Sequence, residues 1–292
     1  MSSKLSFFHF ITLLSVSLVW GANFAVAKIG MINFPPIAFL TLRFIGVAFV
    51  LIPFTRIPRE YFLKIFFLSF TLCLIHFGFL YAGIKQLDVA TSSIVVQLQV
   101  PIAALLSKFY FKENLTLKNI LGMLLAFLGI GIIVGEPKLQ GNILPIIFVI
   151  IAATAWAFSN IQMKDIGQHV DPMTLNCWIA AFASPQLALA SFFFEHNQLN
   201  AILQSDYKLW LALIYQILFA TLLGYGLWYS MIKIYSVNKV MPFTFLIPFF
   251  SVLSGIIFLN EKLTLNIILG AICILTGIAL IIFYSHKVNT VQ

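Results

Sequence analysis

Charge is what this sequence of 292 residues has least of. Asp, Glu, Lys and Arg together make up 9% of it, and only nine residues are acidic. A soluble globular domain carries roughly 25% charged residues. With 61% hydrophobic residues and a mean hydropathy of +1.03, the chain is too apolar for a water-exposed surface and too apolar to be disordered. We therefore expect a membrane protein.

Residue patterns that carry chemistry are also scarce. The three cysteines are odd in number and lack C-x-x-C spacing, so no disulfide, zinc or redox site is expected. No G-x-x-x-x-G-K-[ST] loop would cradle a phosphate. No Asp or Glu lies well inside an apolar stretch, where an intramembrane protease or transferase would need it. We expect no enzyme, cofactor or metal, and basic residues scattered singly over the loops argue against nucleic acid as a partner.

What the sequence does contain is a series of long uncharged stretches. Each is close to the 17–25 residues of a membrane-spanning helix, and none alternates apolar and polar residues as barrel strands do. The second is interrupted only by Arg43. In chain order, stretches 1 to 10 are 5–27, 29–55, 65–84, 89–107, 119–135, 139–163, 172–194, 209–232, 240–260 and 263–286. The predicted fold is an all-α integral membrane protein with ten transmembrane helices and no soluble domain.

The basic residues predict the orientation of these helices. With the N-terminus in the cytoplasm, eleven of the 17 Lys and Arg residues fall in cytoplasmic segments. Because cytoplasmic loops carry the excess of Lys and Arg, we expect both termini inside the cell and the chain in the inner, or plasma, membrane. The lipid bilayer is thus one expected partner.

An internal repeat divides the sequence into two halves, 5–135 and 139–286. When 111–133 is placed over 259–281, ten of 23 positions are identical, among them Glu113 with Glu261. Each half holds five stretches, and an odd number means that the second half enters the membrane from the opposite side. Inverted repeats of this kind are typical of secondary transporters, whose two halves rock about a shared site.

Prolines interrupt one stretch in each half. Pro101 lies in stretch 4 and Pro248 in stretch 9, the corresponding stretch of the second half. Each removes a backbone hydrogen bond and kinks its helix. Paired interruptions point to hinges at a binding site, and a packing kink without a substrate role is the other interpretation.

The residues around these positions resemble a known family. The carriers in the first half are Trp20-Gly21-Ala22-Asn23-Phe24, Leu42-Arg43-Phe44, Pro101, Glu113 and Gly122, and those in the second half are Pro248, Glu261 and Gly270. Over essentially its whole length, the chain resembles EamA-type members of the drug/metabolite transporter superfamily. Leu223-Gly224-Tyr225-Gly226 and Val95-Val96-Gln97-Leu98-Gln99 are most similar to the branch that exports cysteine and O-acetylserine. The resemblance implies a basket of ten helices around a cavity lined by stretches 1, 3, 4, 6, 8 and 9.

Polar and aromatic residues inside these stretches are the candidates for substrate binding, because such residues are costly in lipid. They are Trp20, Asn23, Gln97, Gln99, Trp156, Asn160, Tyr225 and Trp228. Asn and Trp recur at similar places in stretches 1 and 6, as cavity walls or as helix contacts and an interfacial belt. Of the two glutamines, we expect one to face the cavity and the other a neighbouring helix. The aromatic pair of stretch 8 either walls the cavity or packs in the core.

Two ionisable residues join the candidates. Arg43 lies in stretch 2 without a carboxylate at membrane depth. It either attracts an anionic group such as a substrate carboxylate, or it bonds carbonyls between helices or reaches for the interface. His76 lies near the middle of stretch 3, as a buried neutral side chain or as a site that binds substrate or a proton.

Three functions follow from this pattern. A secondary transporter of small polar metabolites is favoured, with an amino-acid exporter of the cysteine or O-acetylserine type working by alternating access as its most specific form. An efflux carrier for hydrophobic drugs or lipid-like compounds is the alternative, although the paired Asn and Gln argue against a purely apolar cavity. An intramembrane enzyme or a scaffold comes last. The expected partner is a small-molecule substrate, and the chain is a monomer or a homodimer.

Overall fold

The computed structural model describes residues 6–56, 58–111, 117–135, 142–167, 169–234, 243–244 and 246–285. These residues form helices and loops and contain no strand. We number the apolar helices in chain order as α1 (Phe7–Gly30), α2 (Pro36–Leu51), α3 (Arg59–Gln86), α4 (89–111), α5 (Leu117–Val134), α6 (Leu144–Ile166), α7 (Pro172–Phe194), α8 (207–234), α9 (Leu246–Leu259) and α10 (Leu265–Ser285). A short helix, Gln198–Leu203, lies in the loop before α8.

Six of the described helices are long and apolar enough to cross a membrane. They include Phe7–Gly30, Pro36–Phe54, Arg59–Gln86, Leu144–Met163, Pro172–Phe194 and Tyr207–Trp228. The remaining apolar helices are shorter, with Val89–Ala103, Ile120–Val134, Leu246–Leu259 and Leu265–Leu280 as their apolar parts. Each helix coincides with one of the uncharged stretches, which confirms a helical membrane protein.

Three of the helices are not regular. In α3 the segment Phe70–Phe77 is π-helical, and so is Tyr215–Leu223 in α8. In α4 a 3-10 turn, Val96–Leu98, separates two α-helical parts. Pro101 follows that turn and cannot donate a hydrogen bond to the carbonyl of Gln97, which explains why the helix changes here. Pro248 lies in the first turn of the described part of α9.

Glycines bring α5 and α10 into backbone contact. A Cβ added at Gly277 would lie 2.4 Å from the carbonyl oxygen of Gly122, and one at Gly129 would lie 2.7 Å from that of Gly270. Only glycine permits so close an approach. These glycines therefore form a seam inside the bundle. A Cβ at Gly131, in contrast, would meet no atom within 4 Å.

Carboxylates cap two helices at one end of the bundle, which we call the glutamate end. Glu261 accepts hydrogen bonds from the backbone N–H of Val89, at 2.8 and 2.9 Å, and thus caps α4. Glu195 accepts from the N–H groups of Ile37 and Ala38, at 2.7 and 2.9 Å, and caps α2. A negative charge at a helix N-terminus is stabilising. Glu113, the repeat partner of Glu261, lies outside the described residues.

The opposite end of the bundle, which we call the arginine end after Arg56 and Arg59, is stabilised by contacts of aromatic side chains. The indole N–H of Trp178 donates to the carbonyl oxygen of Arg56 at 3.0 Å. The rings of Tyr61 and His169 stack at 5.5 Å. These contacts join the loop between α2 and α3 to α7, and the beginning of α3 to the loop between α6 and α7.

Candidate transport site

Arg43 forms the centre of a buried polar network between the two halves of the sequence. Its side chain is 2% exposed. The guanidinium donates to the Thr221 hydroxyl at 2.9 and 3.2 Å and to the Tyr81 hydroxyl at 2.7 Å. Its carbon atom also lies 5.3 Å from the Phe44 ring centre and 5.0 Å from that of Phe77, within the range of a cation–π contact.

The charge of Arg43 has no acidic partner among the described residues. The ion pair that the described residues contain joins Lys28 and Glu261 at the glutamate end. Hydroxyl groups and ring faces therefore surround the guanidinium. Among the described residues, it donates to hydroxyl groups and to no backbone carbonyl. An anion-binding role stays a prediction.

Tyr81 and Gln216 extend this network, and the sequence analysis singled out neither as a site residue. The Tyr81 hydroxyl donates to Oε1 of Gln216 at 2.8 Å. Nδ2 of Asn23 lies 3.5 Å from the same hydroxyl. The candidate Asn23 thus reaches Arg43 through one shared partner. The offset that aligns Glu113 with Glu261 also aligns Tyr81 with Tyr229, which is a sequence signal at position 81, whereas nothing in the sequence marks position 216.

A small cavity of about 20 Å³ adjoins Arg43. Its walls come from α2, α3, α6, α7 and α8, and contain Arg43, Phe44, Leu72, Cys73, Phe77, Trp156, Met163, Asn176, Ile179, Thr221 and Tyr225. Of the helices that the family resemblance implied, α3, α6 and α8 take part, and α2 and α7 do so in addition, because they carry Arg43 and Asn176. The candidates Arg43, Trp156 and Tyr225 are brought together here, and Asn176 is a polar wall residue that the sequence analysis missed.

Aromatic side chains of α1 and α8 form a cluster beside this cavity. The Trp20 ring lies 5.1 Å from Tyr225 and 5.4 Å from Trp228, and its N–H donates to the carbonyl oxygen of Ala220 at 3.0 Å. Gly224 makes room for the indole, because a Cβ there would lie 2.6 Å from Nε1 of Trp20. All three aromatic candidates of α1 and α8 therefore meet at one place.

His76 lies in the π-helical segment of α3 and is buried. Its Nδ1 is 2.9 Å from the carbonyl oxygen of Ala152, and its ring centre is 4.7 Å from that of Trp156. Since the carbonyl can only accept, Nδ1 carries the proton in this bond. Asn160, one turn beyond Trp156 on α6, is exposed and lies outside the wall of the cavity.

The two glutamines of α4 contact each other. Nε2 of Gln99 donates to Oε1 of Gln97 at 3.1 Å, and Gln97 is 3% exposed. Residues two apart on a regular α-helix point away from each other, which is why we expected separate neighbours. The 3-10 turn Val96–Leu98 changes that geometry and lets the two side chains meet.

The glutamate end holds a second, wider cavity of about 390 Å³. It is lined by Lys28, Asp88, Leu259, Asn260, Glu261 and Lys262. Nζ of Lys28 bonds Glu261 at 2.9 Å and the carbonyl oxygen of Leu87 at 2.7 Å. This ion pair joins α1 to the loop between α9 and α10.

Known proteins are similar to this chain over nearly all of its length. A probable amino-acid metabolite efflux pump of Escherichia coli (strain K12) is 31% identical over 279 residues, which cover 92% of this chain and 93% of that protein. The protein of the same name from Salmonella typhimurium is also 31% identical over 279 residues. The uncharacterized transporter YoaV of Bacillus subtilis is 26% identical over 278 residues, 91% of this chain and 94% of its own.

A solved crystal structure shares the fold. It has 16% sequence identity and a TM-score of 0.65, and the match covers 96% of this chain and 98% of the other. The EamA-like transporter family matches residues 8–135 and again residues 143–283. Because this family covers nearly all of the sequence and the relatives named are transporters or efflux pumps, the chain belongs to the EamA-like transporter family of the drug/metabolite transporter superfamily and is a multi-pass membrane transporter, not an enzyme.

Proposed function

We propose that this protein exports small polar metabolites of the amino-acid type, with cysteine and O-acetylserine as the first candidates, by alternating access. Its ten helices act as two inverted repeats, 5–135 and 139–286, in the inner or plasma membrane with both termini in the cytoplasm. The observation that carries the proposal is the buried guanidinium of Arg43, which borders a cavity between the two halves and has no acidic partner among the described residues.

Arg43 gives the proposal its chemistry. A buried cation is costly unless an opposite charge or a full set of hydrogen bonds compensates it. A guanidinium has five N–H donors. Arg43 donates two hydrogen bonds to Thr221 and one to Tyr81. A substrate carboxylate would accept from the remaining donors and neutralise the charge. The names of the two enteric relatives, which refer to amino-acid metabolites, support the same substrate class.

The size of the cavity supports a mechanism with moving halves. About 20 Å³ is room for about one water molecule, so an amino acid enters only when the helices separate. Two cavity residues locate the cavity between the ends of the bundle. Along the axis of α2, Arg43 lies about 10 Å from the helix beginning at the glutamate end, and along the axis of α6, Met163 lies about 5 Å from the helix end at the arginine end. The Lys28–Glu261 pair holds α1 to the loop between α9 and α10 at the glutamate end, and we expect the site to open toward the arginine end from this state.

The alternative substrate class is hydrophobic. The aromatic cluster of Trp20, Tyr225 and Trp228 and the apolar walls around Phe44 would suit a drug or a lipid-like compound. The network around Arg43 argues against that function, because an apolar substrate would leave the charge and its unused donors without partners.

Transport by purified protein in proteoliposomes tests the proposal. Uptake of radiolabelled cysteine or O-acetylserine should saturate and should be inhibited by the unlabelled compound. Arg43→Gln should remove it, whereas Arg59→Gln, at an exposed residue of the arginine end, should transport normally. Uptake of hydrophobic dyes with no uptake of any amino acid would contradict the proposal and favour the alternative.

A further inference from the structure

We propose that Gln216 and Asn23 recognise the two charged ends of a zwitterionic substrate. The amide N–H groups of Gln216 donate to the carboxylate beside Arg43, and the amide oxygen of Asn23 accepts from the ammonium group. This inference rests on the proposed function and narrows its substrate class to α-amino acids with both groups free.

Two buried atoms without partners carry the inference. Gln216 is 0% exposed, and its Nε2 has no hydrogen-bond partner among the described residues although its Oε1 accepts from Tyr81. Oδ1 of Asn23 is likewise buried and unpartnered, while Nδ2 of the same amide faces the Tyr81 hydroxyl. Buried polar groups in native proteins are nearly always hydrogen-bonded. An exception therefore indicates a partner that binds in another state of the molecule.

The arrangement of the two atoms favours one ligand for both. Each amide lies one hydrogen bond from the same Tyr81 hydroxyl, which also accepts from Arg43 at 2.7 Å. The remaining unpartnered atoms, Oε1 of Gln186 and Oγ of Ser251, are single atoms on α7 and α9 outside this network. Within the described parts of the chain, only the Tyr81 network places a free donor and a free acceptor together.

The unpartnered donor of Gln216 and the unpartnered acceptor of Asn23 are complementary to the two charged groups of an α-amino acid. A carboxylate has only acceptor atoms and matches the donors of Gln216 and Arg43, and an ammonium has only donors and matches Oδ1 of Asn23. Tyr81 is the positioning residue, since its hydroxyl is already shared by the surrounding side chains and holds both amides. The helices involved, α1, α2, α3 and α8, belong to both halves, so a bound zwitterion would join the halves as the site closes.

Competition by incomplete substrates tests this inference. Uptake of radiolabelled L-cysteine is measured in proteoliposomes against unlabelled L-cysteine, cysteamine, which lacks the carboxylate, and 3-mercaptopropionate, which lacks the ammonium group. L-Serine, ethanolamine and 3-hydroxypropionate form the equivalent series. In the parent protein, each incomplete compound should inhibit at least about tenfold more weakly than the amino acid, because it leaves a buried group unpaired.

The variants should change discrimination in opposite ways. Gln216→Leu should reduce the parent's preference for cysteine over cysteamine, part of which Arg43 still supplies, and should keep the preference over 3-mercaptopropionate. Asn23→Leu should lose the preference over 3-mercaptopropionate and keep the preference over cysteamine. Gln186→Leu is the matched control, a glutamine with one unpartnered atom elsewhere, and should keep both preferences. Gln216→Met and Asn23→Val give the same comparison if a leucine variant does not fold.

The outcomes separate this inference from the proposed function. Equal weakening of all three competitors by both variants would mean a structural role and overturn the inference. Cysteamine or 3-mercaptopropionate competing as well as cysteine in the parent would also overturn it, while amino-acid transport itself stood. If the parent transports no amino acid, both proposals are wrong.

Discussion

At the scale of single residues, neutral hydroxyl groups compensate the buried charge of Arg43. Thr221 and Tyr81 contact the guanidinium of Arg43 from opposite halves of the sequence, 178 and 38 residues away. The sequence analysis found Arg43 because a charge within an apolar stretch is conspicuous. It could not find Gln216 or Thr221, because polar residues on an apolar helix look alike until the helices are packed together.

Gly224 offers a test at this scale. A Cβ at this position would lie 2.6 Å from Nε1 of Trp20 and 3.1 Å from the carbonyl oxygen of Phe219. Gly224→Ala should therefore push the indole away from Ala220 and lower the unfolding free energy by about 1–3 kcal/mol, as overpacking does. Thermal unfolding in detergent, followed by tryptophan fluorescence, measures this effect.

Gly226 supplies the matched control two residues along the same helix. A Cβ there would meet no heavy atom within 4 Å, so Gly226→Ala should leave the unfolding temperature nearly unchanged. Helix propensity alone would make both alanine variants more stable than the parent, so equal destabilisation by the two variants would mean that the contact with Trp20 does not decide the effect.

At the scale of the helices, much of the fold follows from the sequence. The uncharged stretches predicted the positions of the helices because charged residues must leave the lipid. The irregular segments were not predictable: the π-helical turns of Phe70–Phe77 and Tyr215–Leu223 leave no mark in composition. Only the break in α4 had a signal, at Pro101, and its consequence for Gln97 and Gln99 depends on a 3-10 turn that the proline alone does not specify.

The glycine seam between α5 and α10 makes a prediction about helix packing. Gly277→Ala would place a Cβ 2.4 Å from the carbonyl oxygen of Gly122 and should force the two helices apart. We expect a loss of about 1–3 kcal/mol, seen as a lower unfolding temperature in detergent.

Gly131→Ala is the comparison on α5, since its Cβ would meet nothing within 4 Å. This variant should unfold at the parent's temperature and elute at the parent's size in gel filtration. If it instead converts a dimer to a monomer, the G-x-x-x-G pair of Gly131 and Gly135 packs between subunits, and the chain acts as a homodimer.

At the scale of the whole molecule, the proposed inverted repeat makes a topological prediction. Single cysteines replace Lys112, beside Glu113, and Asn260, beside Glu261, in a background without the three native cysteines. A membrane-impermeant maleimide should label Asn260→Cys from outside the cell and Lys112→Cys only after the membrane is opened. The control Arg59→Cys should behave like Lys112→Cys, because both segments are predicted to be cytoplasmic. Labelling of Lys112→Cys and Asn260→Cys from the same face would contradict the inverted repeat.

The distribution of acidic residues over the molecule predicts what drives transport. Each of the nine lies at or beyond an end of an uncharged stretch, and Glu195 and Glu261 are engaged as caps of α2 and α4. Proton-coupled carriers place titratable groups at membrane depth, where the described residues offer His76, whose Nδ1 is already bonded to Ala152.

We therefore expect facilitated diffusion or exchange down the metabolite's own gradient. Uptake of labelled cysteine into proteoliposomes should have the same initial rate and the same final level with and without an imposed pH gradient. His76→Gln, whose side-chain amide supplies an N–H that can donate to the Ala152 carbonyl, should transport at a rate close to the parent's and serves as the control for structure. Accumulation above the external concentration that appears only with a pH gradient and vanishes in His76→Gln would make His76 the coupling group. The same accumulation unchanged in His76→Gln would show that protons are coupled elsewhere, and the reasoning from buried titratable groups would then be wrong.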